Sequence, residues 1–263
     1  MNARKLPPHS RANRSDGEHV IVVLASLDDS SAKALVRHWA HASARLMTCE
    51  DLSRKGWSFL PRRPGCGTAV IGGERVAMKH IRGVLVRLSF VTENELLHIH
   101  PEDRSYVAAE MMAFLVAWLN EMPCPVLNRP TPFCLAGPSW RPEQWTFTAA
   151  QLGIPIQPTH RFVKFSRGMQ GDASLAGETD SCRATITIIG DRCFGEAEES
   201  LKRYARALAK AARVDLLSVE FTAPKGELKF LQAHVVPPLA SDELRDTALA
   251  WLQRASHRSK NRA

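Results

Sequence analysis

Residues 19–25 read His-Val-Ile-Val-Val-Leu-Ala, a continuous apolar run rich in valine. A strand with one wet face alternates apolar and polar side chains, so an unbroken run reads as a strand buried on both faces. Working outward, residues 26–31 form a mostly polar turn containing Asp28 and Asp29. Residues 32–44 then carry Leu35, Trp39 and Ala42 on one side at helical spacing. Residues 45–48 read as a second strand, and 68–71 with 76–78 as a hairpin around Gly72 and Gly73. Residues 83–90 (GVLVRLSF) repeat the buried-strand pattern. Strands alternating with helices predict an α/β layer at the start of the chain.

Further along, His98 to Asp103 reads as a loop, with Asp103 as the N-cap of a helix over 104–120. That helix is apolar nearly all round (Val107, Met111, Phe114, Leu115, Trp118), which predicts a central, buried position. Six prolines between 123 and 142 predict an extended loop. A short helix over 144–152 stops at Gly153. Residues 161–166 and 184–190 read as strands, 198–213 as an amphipathic helix, and 217–221 with 227–233 as a hairpin about Pro224-Lys225-Gly226. Ser241 caps a last helix that opens with Asp242 and Glu243 and presents Leu244, Ala248 and Trp251 on one face.

The 263 residues carry a formal charge of +8. Residues 1–17 hold Arg4, Lys5, Arg11 and Arg14 against Asp16, and residues 252–263 hold Arg254, Arg258, Lys260 and Arg262 with no acid. Nearly all of the excess therefore lies at the two ends, which read as a disordered basic arm (1–17) and a basic tail (253–263). The near-neutral remainder does not imply a nucleic-acid partner. The longest apolar run, 111–119, is too short to span a bilayer, so no membrane partner is expected. Six cysteines without a CxxC pair or zinc spacing read as reduced thiols. Together with an N-terminus that lacks an apolar signal region, this predicts a cytoplasmic protein.

The order of segments in residues 84–160 resembles the ATP-grasp superfamily, especially its peptide-modifying and glutamate-adding ligases. The segments are VLVRL with Arg87, YVAAEMMAFLVAWL with Glu110, CPVLNRP with Asn128 and Arg129, and AAQLGIPIQPT with its Gly-Ile-Pro turn and Thr159. Downstream, ATITIIGDRCFG looks like the strand and turn bearing part of the nucleotide site. ALAKAARVDLLSVEF looks like the approach to the first metal carboxylate, and GELKFLQAHVVPPL like the strand ending in a Glu-x-Asn metal motif, with Pro237 at the matching offset.

The resemblance implies an α/β fold. A pre-ATP-grasp-like α/β domain (18–130) would be followed by a reduced ATP-grasp-like α+β domain (131–252). It implies ATP and Mg²⁺ as cofactors, a peptide or protein as substrate or partner, and ligation of a carboxylate to an amine through an acyl phosphate. Carried over residue by residue, Arg87 and Arg129 would hold the carboxylate or the transferred phosphate, because a guanidinium matches both. Lys164, Ile188 and Asp191 would meet the nucleotide. Glu220, Gln232 and His234 would occupy the metal positions. Hard Mg²⁺ takes oxygen ligands, and here Gln232 stands where a bridging glutamate belongs and His234 where an asparagine belongs. Only residues 157–183 lie where active members carry a longer lid. The alternative reading is therefore a catalytically inactive ATP-grasp-like binding or accessory subunit. His98 and His100, beside Glu102 and Asp103, read as solvated loop histidines, and Trp140 and Trp145 as loop anchors.

Overall fold

A computed structural model describes residues 19–157, 183–223 and 228–254. The two basic ends lie outside these residues. So do Thr159, Lys164, the strand expected at 161–166 and the Pro224-Lys225-Gly226 turn.

The run at 19–25 forms strand β1 (Val20–Leu24), and all five of its side chains are buried. Val20, Val22 and Leu24 enter one apolar cluster, while Ile21 and Val23 enter another on the opposite face. Helix α1 (Ser30–His38) follows, capped by Asp29, whose carboxylate accepts from the Ala32 N–H at 2.8 Å. Strand β2 (Ala44–Met47) then pairs parallel to β1. The short helix α2 (Cys49–Leu52) carries Asp51, buried to 4% exposure. Strands β3 (Ser58–Phe59), β4 (Gly67–Ile71) and β5 (Glu74–Ala77) make a small antiparallel sheet. Its Gly72-Gly73 turn, with positive φ at both glycines, donates both N–H groups to the Asp51 carboxylate. A negative charge two elements away therefore pins the predicted hairpin.

Strand β6 (Ile81–Val86) lies on the other side of β1, again parallel. Helix α3 (Arg104–Glu121) runs back along the sheet. Its Ala108, Leu115, Trp118 and Leu119 are buried, but Ala109, Glu110, Ala113 and Ala117 face outward. The helix is thus a covering layer rather than a central one: small alanines leave its outer side apolar without burying it. Asp103 precedes it without making a side-chain cap hydrogen bond. The proline-rich stretch differs from expectation as well. Within it, strand β7 (Val126–Leu127) joins β6 in parallel. Pro125 sits just before the strand, where a missing N–H costs no ladder bond, and its carbonyl accepts from Val84 at 2.9 Å. The first sheet has the order β2-β1-β6-β7.

Helix α4 (Pro142–Gln151) starts with Gln144 accepting from the Arg141 N–H at 2.8 Å. Strands β8 (Arg183–Ile189) and β9 (Arg192–Phe194), helix α5 (Glu199–Ala212), and strands β10 (Leu216–Thr222) and β11 (Lys229–His234) follow. They build a second, antiparallel sheet of order β11-β10-β8-β9. Ile186, Ile188, Leu217, Val219 and Phe221 pack with Leu201, Ala205 and Leu208 of α5 and with Trp145 of α4. Trp140 packs edge-on against Trp145 with ring centroids 4.7 Å apart, as a loop anchor should. Helix α6 (Asp242–Arg254) closes the chain. Its Ala248, Leu249 and Leu252 pack into the cluster that holds Ile21, Val23 and Leu85. The approach is close enough that a Cβ on Gly83 would lie 2.9 Å from that of Leu252. The last helix therefore returns to cover the first sheet. A parallel sheet and an antiparallel sheet, each backed by helices, make the α/β fold class that the alternation of segments predicts.

Candidate functional site

Strand β10 alternates sharply. Leu217, Val219 and Phe221 face α5, so Ser218 and Glu220 face the other way. On β8 the same alternation leaves Thr185 and Thr187 on the Glu220 side. Strand β11 would break this pattern if it were regular. Phe230 belongs to the α5 core, and residues 232 and 234 would then share its face. The register instead shifts between Glu220 and Phe221, with Phe221 opposite Phe230 and Glu220 opposite Gln232. Leu231 is the extra residue of this bulge, and it re-aims every side chain after it. Phe230 stays in the core while Gln232 and His234 come round to Glu220.

The result is two polar rungs across three strands. One rung is Thr187–Ser218–His234 and the next is Thr185–Glu220–Gln232. The Gln232 Nε2 donates to Glu220 Oε2 at 2.9 Å, and His234 Nε2 lies 3.7 Å from Glu220 Oε1. Beneath them the buried Thr187 hydroxyl donates to Ser218 Oγ at 3.4 Å. The three residues assigned to the metal positions thus converge around one carboxylate. Glu220 is partly buried (24%) and His234 half-exposed (48%), so the cluster can be reached from solvent.

One other assigned residue, Arg87, and the motif residue Asn128 brace the segment that follows these rungs. Arg87, just past β6, donates through Nε to Asp29 Oδ2 at 2.8 Å and through Nη1 to the Pro237 carbonyl at 3.2 Å. Burial alone would raise the Asp29 carboxyl. Hydrogen bonds from Arg87 and from the Ala32 backbone, with the Arg87 charge, outweigh that and hold it below its ordinary 3.8. Asn128, 2% exposed, accepts through Oδ1 from the Asp215 and Leu216 N–H groups at 3.0 and 2.8 Å. Its Nδ2 donates to the carbonyls of Leu216 (2.8 Å), Val235 (3.2 Å) and Ala136 (3.4 Å). Arg87 and Asn128 therefore fasten residues 235–237, directly after His234, to the first sheet.

The remaining assigned residues that fall within the described stretches stand apart from the rungs. The guanidinium of Arg129 donates to the carbonyls of Leu119, Asn120, Met122 and Cys124, satisfying the C-terminal end of α3. Ile188 points into the α5 core, away from Glu220. With Asp191, Arg206, Lys210 and Asp215 it lines a cleft of about 480 Å³ on the opposite side of the second sheet. Burial, and then the charge of Asp191, push the Asp215 carboxyl above its usual range. Lys164 lies outside the described residues.

Other chemistry is sparse. Among the described residues no three His, Cys, Asp or Glu side chains gather as a metal group, and His98 bonds to Ser53 Oγ at 2.9 Å on the surface. Burial pushes the Cys49 and Cys124 thiols up to about 12, which makes them poor nucleophiles. Among the described residues no helix is long and apolar enough to cross a membrane. Sequence reading missed the brace made by Asn128 and the bulge at Leu231. An asparagine between a buried strand and an arginine-proline pair was the one available hint of the first.

No protein-family model matches the sequence, and no curated protein does. Solved structures do resemble the fold. The ATP-grasp ligase PsnB, complexed with minimal precursor, Mg and ADP, superposes with a TM-score of 0.61 at 13% identity, covering 89% of this chain and 98% of that one. The macrocyclase MdnB from Microcystis aeruginosa MRC gives 0.62 at 11% identity, with 89% and 99% covered. A Chryseobacterium gregarium RiPP-associated ATP-grasp ligase, in complex with ADP and a leader and core peptide, gives 0.62 at 10% identity, with 89% and 96% covered. The chain has the ATP-grasp fold of these ligases in a compact form.

Proposed function

We propose that this ATP-grasp-fold chain is a peptide-binding accessory protein of a peptide-modification system, one that does not itself form an acyl phosphate. The observation that carries the reading is the Gln232–Glu220 hydrogen bond. An acyl phosphate forms when a carboxylate oxygen attacks the γ-phosphate of ATP and ADP leaves. That attack needs the phosphate charge to be neutralised by ions held on hard, anionic oxygens. Here the would-be bridging carboxylate is an amide that donates to the remaining one. The third position is an imidazole, a poor Mg²⁺ ligand. The set does not suit Mg²⁺, and no step is assigned to it. The two arginines assigned to substrate or phosphate are engaged elsewhere, Arg87 with Asp29 and Pro237 and Arg129 with the end of α3. Peptide binding is supported by fold likeness to ligases solved with precursor or leader peptides.

A second reading, an active carboxylate–amine ligase, is favoured by one observation: Gln232 and His234 still gather around the Glu220 carboxylate from two adjacent rungs. Phosphate release separates the two. The full chain is incubated with Mg-ATP and the short precursor peptide encoded nearest to it, and phosphate and peptide mass are followed. The accessory reading predicts that the peptide binds, seen as a rise in fluorescence anisotropy of a labelled copy, with no peptide-dependent phosphate and no loss of water from the peptide. Turnover that disappears in Glu220→Ala establishes the ligase instead.

A further inference from the structure

Glu220, Gln232 and His234 suit a different kind of ion from the one a set of carboxylates would take. We propose that they form a site for a borderline divalent cation of the Zn²⁺ type, occupied without nucleotide.

The argument is geometric first. Two ligands each about 2.1 Å from an ion, and about 110–120° apart, are separated by about 3.4–3.6 Å. Glu220 Oε1 and His234 Nε2 are 3.7 Å apart, so an ion fits between them with a shift of a few tenths of an ångström at most. The third donor adjoins the other oxygen of the same carboxylate. Gln232 presents its terminal amide to Glu220 Oε2 at 2.9 Å. A half-turn of that amide exchanges N for O. Without an ion, the exchanged form would set two oxygens against each other. With one, both oxygens become ligands. An ion held by both oxygens of the Glu220 carboxylate would have the imidazole nitrogen on its Oε1 side and the amide oxygen on its Oε2 side.

Chemistry fixes the class of ion. Imidazole binds Zn²⁺, Co²⁺ and Ni²⁺ far better than Mg²⁺, and for N/O sites affinity rises along the first-row series. The surroundings favour a formed site over a flexible one. The cluster stands on the Thr187–Ser218 rung, both of whose side chains are buried, and the bulge at Leu231 fixes which way Gln232 and His234 point. The inference rests on these three side chains alone and does not depend on whether the chain binds a peptide.

The test is calorimetric titration of the full chain with ZnCl₂ and, separately, with MgCl₂, in the absence of nucleotide. With ten histidines and six cysteines in the chain, additional Zn²⁺ sites are expected, so the readout is the loss of one site on substitution. Both His234→Asn and Glu220→Gln should remove the same single site or weaken it at least tenfold. Cys66→Ser, at an exposed thiol outside the cluster, should leave that site in place. Mg²⁺ should bind the wild-type site at least 100-fold more weakly than Zn²⁺. Wild-type Zn²⁺ isotherms in both variants, with unchanged circular dichroism, overturn the proposal. So does loss in His234→Asn alone, which would assign the imidazole to some other set of donors.

Discussion

Asn128→Ala lowers the stability of the chain by about 3–5 kcal/mol, one of the two largest effects expected of single truncations outside the apolar core. The side chain contacts five backbone groups, at Ala136, Asp215, Leu216 (both N–H and carbonyl) and Val235. Removing it leaves two donors and at least two acceptors without the partner they have, and three of the five bonds are buried. A net hydrogen bond contributes only about 1 kcal/mol, but an orphaned buried group costs about 1–3 kcal/mol, and it is the orphans that set the size here. For a chain of this length the melting temperature should fall by roughly 6–20 °C. Asn128→Asp should not rescue it. Aspartate keeps the acceptor but turns a negative charge toward the carbonyls of Leu216 and Val235. A fall of less than about 3 °C in Asn128→Ala, on the scale of surface substitutions, would mean that the brace is not what joins the two sheets.

Arg87→Ala should cost about 3–5 kcal/mol at neutral pH, because it leaves the Asp29 carboxylate, only 19% exposed, without its cation. Its signature is the pH dependence. Asp29 has a folded value below 3.8, held there against burial by Arg87 and the Ala32 N–H. A depressed carboxyl contributes stability that is fully present above its unfolded value of about 3.9 and is lost as pH falls through the folded value. The gap between wild type and Arg87→Ala, measured by urea unfolding, should therefore be widest above about pH 5 and shrink steadily below about pH 4. The part that survives in acid is the bond to the Pro237 carbonyl. Arg87→Lys should fall between, since an ammonium supplies the charge but not the fork that reaches both Asp29 and Pro237. A gap that stays constant down to pH 2 would show that the ion pair contributes nothing.

These residues also mark where the sequence was legible. The buried run at 19–25 and the helical spacing of 32–44 announce a two-faced parallel strand and its cover, because burial on both faces leaves no room for polar side chains. The acid at 220 and the amide and imidazole at 232 and 234 were readable as a cluster by their order along the chain. Their convergence in space was not. Phe230, Gln232 and His234 alternate in a way that puts all three on one face, and only the bulge at Leu231 separates the first from the others. A one-residue shift flips every later side chain, and no residue type in FLQAH signals it. Helix α3 failed in the opposite direction. Its alanines raise the apolar content all round, yet Ala109, Ala113 and Ala117 remain at the surface at little cost. Arg87 reads as a site residue, and Asn128 as part of a matching segment, because of where they fall in the order of segments. The atoms they touch are backbone and Asp29, so their contribution to the rung is positional.

The fold of an ATP-grasp ligase is present, and the proposed accessory role requires that its ligand set not hold Mg²⁺ for a nucleotide. The direct measurement is calorimetric titration of the full chain with ADP, with and without 10 mM-scale MgCl₂, set beside the same titration of Gln232→Glu/His234→Asn. For the wild-type chain the account predicts no Mg²⁺-dependent binding at millimolar ADP. Submillimolar ADP binding by the wild-type chain that requires Mg²⁺ and is lost in Glu220→Ala would contradict it.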